Sequence, residues 1–208
     1  MAIDCGKLTT GVIGYDCENP LVQGIKPRVV LINHDDIDLS ETMITDGIIT
    51  KLELKPGKVG YLVETIDPGM SANIAFTRSA YFSAWNQNVI MRLFDNNVAV
   101  KKFINGLAKT NVIVIVENKY VKYAIPETPE PPAGEEKRGE TVFEVFGFYT
   151  GLRLNEATRD SAEDELKGGY QLTLGTSDSS QEPSLPLTWL DTNLTTTQEA
   201  FLALTTQA

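Results

Sequence analysis

The chain has 208 residues, 42% of them hydrophobic, with 16 Gly and 10 Pro, which fits one or two compact domains and argues against a disordered or fibrous protein. Lys and Arg number 18 against 28 Asp and Glu, a formal charge of -10, and that balance argues against tight sequence-specific DNA binding, which needs a basic surface. Two cysteines, Cys5 and Cys17, and one histidine, His34, cannot build a disulfide framework and leave few metal or triad chemistries, so composition favours structure or binding over catalysis.

No window holds the roughly 18 consecutive apolar residues of a membrane span, and the opening MAIDCGKLTT lacks the apolar core of a secretory signal. The expectation is no membrane insertion, in a chain that stays in the cell that makes it. Residues 1–28 are punctured by Gly6, Gly11, Gly14, Pro20, Gly24 and Pro27, and so predict an extended N-terminal arm with room for a short strand at 11–15. Residues 29–32 are a β-branched run between Pro27 and the polar cluster His34, Asp35, Asp36, which reads as a buried strand.

Residues 48–64 carry a period-2 pattern. Ile48, Thr50, Leu52 and Leu54 are expected on one face, and Val59, Tyr61 and Val63 on the inward row of a returning strand. Pro56 and Gly57 suit the central positions of a type II turn, so the segment predicts a hairpin. Residues 74–94 satisfy both strand and helix periods, but Phe76, Tyr81, Phe82, Trp85, Val89 and Ile90 suit a pleated surface and favour strands. A helix follows at 97–108, with Asn97 as cap and Val100, Phe103, Ile104 and Leu107 on one stripe. The continuous run VIVIV at 112–116 predicts a strand buried on both faces.

Residues 124–140 hold Pro126, Pro129, Pro131 and Pro132 among many charges, a composition too poor in apolar area to offset ordering, and predict a mobile excursion. Strands are expected again around 142–148, 152–154 and 170–174, with Phe143, Val145, Leu152, Leu154, Tyr170, Leu172 and Leu174 burying one face of a sheet. Gly168 and Gly169 supply the turn before the last of them. Residues 191–208 are Thr-rich with one apolar patch, Phe201, Leu202 and Leu204, and read as a docking segment or frayed tail. The fold class is therefore mainly β with one principal helix, an antiparallel barrel or sandwich.

His34 beside Asp35 and Asp36 is the one local cluster of imidazole and carboxylates, but no nucleophile or oxyanion donor accompanies it, so it reads as a polar loop. Cys5, Cys17 and His34 do not have the spacing of a zinc knuckle. Asp160, Glu163, Asp164 and Glu165 lack the spacing of a calcium loop and read as a capped turn. Phosphate-binding glycine motifs are missing as well. The aromatic groups Tyr81, Phe82, Trp85 and Phe146, Phe148, Tyr149 read as core or subunit-interface residues on strands. Catalytic, cofactor-binding and metal residues are all expected to be none.

The order hairpin, aromatic strands, short helix, buried VIVIV strand, acidic loop and closing strands resembles the tail tube proteins of tailed bacteriophages. The stretch FEVFGFYTGLRLNEATRDSAEDELKGGYQLTLGT at 143–176, with EPSLPLT at 182–188, is similar to the C-terminal part of tail tube and ring proteins of Bacteroides phages, crAss-like phages among them. The likeness covers the last third closely and the rest in element order. It implies a tail tube-like β domain at 29–190, between the arm and the tail, whose copies close into a ring of the phage tail or neck. It also implies localisation in the virion after assembly in the host cytoplasm, adjacent tail or portal-connector ring proteins as partners, and transient non-specific passage of DNA during genome ejection. A negative lumen would repel phosphate and let DNA slide. The alternative is a monomeric carbohydrate-binding β-sandwich using exposed aromatics.

Overall fold

The computed structural model describes residues 23–78, 83–119, 142–162, 165–177 and 180–206. The expected arm up to residue 22, with Cys5 and Cys17, the excursion at 124–140, and Tyr81, Phe82, Glu163 and Asp164 lie outside the described residues. The strands are β1 Ile25–Asn33, β2 Met43–Thr45, β3 Ile48–Lys51, β4 Tyr61–Glu64, β5 Met70–Arg78, β6 Ser83–Leu93, β7 Val112–Asn118, β8 Phe143–Phe146, β9 Arg153–Thr158, β10 Tyr170–Gly175 and β11 Leu187–Trp189. The helices are α1 Val98–Leu107 and α2 Leu194–Ala203. A seven-stranded sheet runs β2-β3-β11-β8-β7-β1-β4 and a four-stranded sheet runs β5-β6-β10-β9. Neither closes on itself, so the fold is sandwich-like and no barrel forms among the described residues.

Strand β7 shows why the larger sheet is the middle layer. It pairs with β1 and β8, and its β-branched run alternates between two cores. Val112, Val114 and Val116 face the four-stranded sheet, where Val29, Leu31, Met70, Val89, Met91, Leu172 and Leu174 join them, with Phe103 and Ile104 of α1 packed alongside. Ile113 and Ile115 face the opposite way, into a second core with Phe143, Trp189 and Phe201. Each such side chain, fully buried, contributes roughly 1.5–3 kcal/mol. The layers are therefore small sheet, large sheet and α2.

The helix expected at 97–108 is α1, and the Asn97 side chain accepts from Val100 N at 2.9 Å as a cap. A second helix, α2, occupies the segment read as docking or fraying. Its start is a capping box: Asn193 accepts from Thr196 N at 3.0 Å, and the Thr196 hydroxyl accepts from Asn193 N at 3.2 Å. Phe201 then docks against Phe143, ring centroids 5.1 Å apart, under the Arg28 guanidinium. One principal helix was therefore one too few. The Thr-rich sequence hid the second helix because its apolar residues form no clean stripe.

The turn predicted at 55–58 is present, with Lys58 N donating to Lys55 O at 3.0 Å and Gly57 at φ +74. Its arms are not partners. β3 pairs with β2 and β11 while β4 pairs with β1, at opposite ends of the seven-stranded sheet. The facing holds only in part: of the row expected on one face Leu52 is core and Leu54 packs against it, but Ile49 of the opposite row is buried too, Thr50 and Tyr61 are exposed, and only Val63 of the returning row lies in the core. A β-turn fixes local chain reversal and leaves partner choice to burial, and Ile49 gains more by entering the second core. Strand β1 begins at Ile25, inside the segment expected to be an arm, because Ile25 pairs with Asn118. The seven residues predicted to bury a single sheet face divide between two sheets. Phe143 and Val145 enter the second core, whereas Leu152, Leu172 and Leu174 enter the first.

Candidate functional site

The β5–β6 hairpin carries its inner face partly open to solvent toward Phe76. Its register aligns Met70 with Met91, Ala72 with Val89, Ile74 with Gln87 and Phe76 with Trp85, so these residues share one face. At the base that face is core, with Met70, Val89 and Met91 buried. Farther out the β5 side of this face opens to solvent, with Phe76 53% and Ile74 38% exposed, while Gln87 opposite Ile74 stays buried. Phe76 leans on Trp85 with ring centroids 4.9 Å apart. The other face carries a polar ladder, with Asn88 donating to Asn73 at 3.0 Å and Asn86 to Thr77 at 2.8 Å.

The two edges of the small sheet differ in kind. β9 is also largely exposed, but its outward residues include Arg153, Asn155, Glu156 and Thr158, and its pairing with β10 contains a register shift. Charges and bulges of this sort discourage pairing with other chains. β5 has neither protection along Ile74 and Phe76, and an inner sheet face left uncovered marks an interaction surface.

A buried polar seam fixes where the hairpin leaves the body. β10 accompanies β6 only as far as the Gly175–Asn88 pair, and from there Trp85 exchanges backbone hydrogen bonds with Glu182 instead, at 2.8 and 3.1 Å. The Glu182 carboxylate is buried and accepts from Tyr149 N at 3.1 Å, Thr150 N at 2.7 Å and the Thr150 hydroxyl at 2.8 Å. Gln87, equally buried, donates to Ser184 O at 3.0 Å and accepts from Gly147 N at 2.9 Å. A carboxylate satisfied by three donors is rigid support, and no sequence motif announced either residue.

At the other end of β6 lies a groove of about 750 Å³ between edge strand β4 and α1. Tyr61, Leu93, Ala99, Val100 and Phe103 give it apolar walls, and Glu64 and Asp95 stand in it. Gly60 is part of the lining, and a Cβ there would lie 2.7 Å from a Val30 methyl carbon.

The remaining carboxylates of note are structural. Glu117 is fully buried, hydrogen-bonded by Lys26 Nζ at 2.5 Å and by Arg28 Nε and Nη2 at 2.8 and 2.5 Å. Burial alone pushes its carboxyl up, and the hydrogen bonds and charges of Lys26 and Arg28 outweigh that, leaving it below the usual carboxylate range. Gln198 of α2 reaches the same carboxylate at 3.3 Å. Glu144 is pushed upward by burial, only partly offset by a hydrogen bond from Asn118 at 2.8 Å.

The cluster found in the sequence stays on one turn, with His34 Nδ1 3.9 Å from Asp35 and with Asp36 turned away to other partners. His34 and Asp36 sit on a 3-10 turn; the His34 ring contacts Phe148 O at 3.2 Å, Asp35 is exposed, and Asp36 turns inward to Asn33 and Lys58 at 2.8 and 2.9 Å. Asp160 accepts from Ala162 N at 2.8 Å in a turn. Among the described residues no group of three or more His, Cys, Asp or Glu is arranged to hold a metal ion. Phe146 and Phe148 are core, as read from the sequence, while Trp85 is half-buried and Tyr149 is exposed. Comparison of the chain with protein-family models, with curated proteins and with solved structures gives no match.

Proposed function

We propose that the chain is a virion structural subunit that assembles into a ring of a phage tail or neck and lines a channel through which DNA passes during genome delivery. The observation that carries this reading is the uncovered inner face of the β5–β6 hairpin, Ile74 and Phe76, held rigidly by the Glu182 and Gln87 seam. A surface of this kind on a two-sheet body suits head-to-tail contact, and such contacts generate closed rings when the rotation closes. The formal charge of -10 suits a wall that DNA slides past without adhering. The sequence likeness at 143–176 to tail tube and ring proteins supplies the remaining support. A second reading, a monomeric carbohydrate-binding sandwich, draws on the part-exposed Phe76–Trp85 ring pair. Negative-stain microscopy and mass photometry of the purified chain decide between them: annular particles support the ring. A monomer at all concentrations that binds oligosaccharides overturns it.

A further inference from the structure

We infer that the β5–β6 hairpin of one copy inserts into the β4–α1 groove of the next, so that each subunit carries the donor at one end and the acceptor at the other. This rests on the ring reading and names the contact that would build it.

Three observations converge. First, the two surfaces lie at opposite ends of one strand: β6 runs from Ser83, two residues from Trp85, to Leu93, which is itself a wall of the groove. The eight steps from Trp85 to Leu93 span roughly 26 Å at about 3.3 Å per residue, so a rigid hairpin cannot reach the groove of its own molecule. Second, the surfaces match in chemistry. Ile74 and Phe76 are apolar, exposed and on one face, and Tyr61, Val100 and Phe103 offer apolar walls. Third, the charges are complementary. Arg78 lies on the same hairpin face two residues beyond Phe76, Glu64 stands in the groove, and neither makes an ion pair among the described residues. A donor and an acceptor on different patches make the contact heterologous, and each copy then passes the interaction on.

The test uses the full chain in two single variants. Phe76→Asp spoils the donor, and Ala99→Arg obstructs the acceptor at an exposed helix position that tolerates a long side chain. Both should keep the parent's circular dichroism. Each alone should raise the concentration for half-assembly at least about 30-fold, the scale of losing one interface anchor. Mixed together they should give a dimer and nothing larger by mass photometry, because one intact donor meets one intact acceptor and the pair cannot extend. Arg78→Glu should weaken assembly, and adding Glu64→Arg should restore it. A parent that assembles while Phe76→Asp assembles equally well, or a mixture that stays monomeric, overturns the hairpin contact and leaves the ring intact. A parent that never assembles overturns both.

Discussion

Replacing Glu117 by Gln tests the charged tie between β1 and β7, which Gln198 of α2 also reaches. The carboxylate takes three hydrogen bonds from Lys26 and Arg28, and bonds to charged groups contribute about 1.5–3 kcal/mol each. Gln keeps one acceptor oxygen, now neutral, and turns an amide group towards a cation, so up to two of the three bonds are lost. The Lys26 share is reduced because that side chain is 38% exposed and recovers water, and removing a buried charge returns part of its desolvation cost. The net destabilisation at pH 7 is about 2–3 kcal/mol. Its pH dependence has a defined sign. Glu117 titrates below its unfolded value, so its contribution is full above roughly pH 4.3 and is lost as pH falls through the folded value. Gln does not titrate, so the gap between parent and variant must narrow on acidification. Urea unfolding of both proteins at steps from pH 7 to pH 3 measures it. A gap that is absent at pH 7, or that stays constant down to pH 3, refutes the assignment.

Glu144 should behave in the opposite sense. Burial raises its folded value, so the ionised form opposes folding, and Glu144→Gln should be more stable than the parent at pH 7, with the advantage vanishing below about pH 4 in the same titration. Leu172→Ala removes a fully buried side chain from the core between the sheets and should cost about 2–5 kcal/mol in urea unfolding. Gly169→Ala places a Cβ 2.0 Å from Leu93 O and should destabilise more than Gly168→Ala, where space is open and only the φ of +76 resists, about 1–2 kcal/mol. Thermal melts of the two glycine variants give that order directly.

The strands were legible wherever burial imposed a period. The 112–116 run, the 29–32 run and the 170–174 alternation all became strands because their β-branched or alternating residues fit only a covered sheet. The helix at Val98–Leu107 was legible from its cap and its stripe. Strand partners were not, since nothing in 48–64 records that β3 and β4 belong to opposite edges; that depends on Trp189 and Phe201, far along the chain, filling the second core. The interaction surface was legible only in part. The aromatic richness of 74–94 was plain, but the exposure of Phe76 is set by which other residues pack beside it, a tertiary fact. Glu182 and Gln87 gave no signal at all, because a buried hydrogen-bonding carboxylate and an ordinary loop acid look alike in sequence.

The position of β11 governs the order in which the molecule can be completed. The β2–β3 pair joins the rest of its sheet through β11 alone, with Ile48 beside Thr188 and Ile49 beside Trp189. A ribosome adding roughly 5–20 residues per second needs roughly 7 to 28 seconds to travel the 140 residues from Ile48 to Thr188. During that interval β8 lacks its neighbour and the β2–β3 ribbon has nowhere to dock. Nascent chains would be protease-sensitive through this window, and fragments ending before Leu187 would leave hydrophobic strand edges open to aggregation.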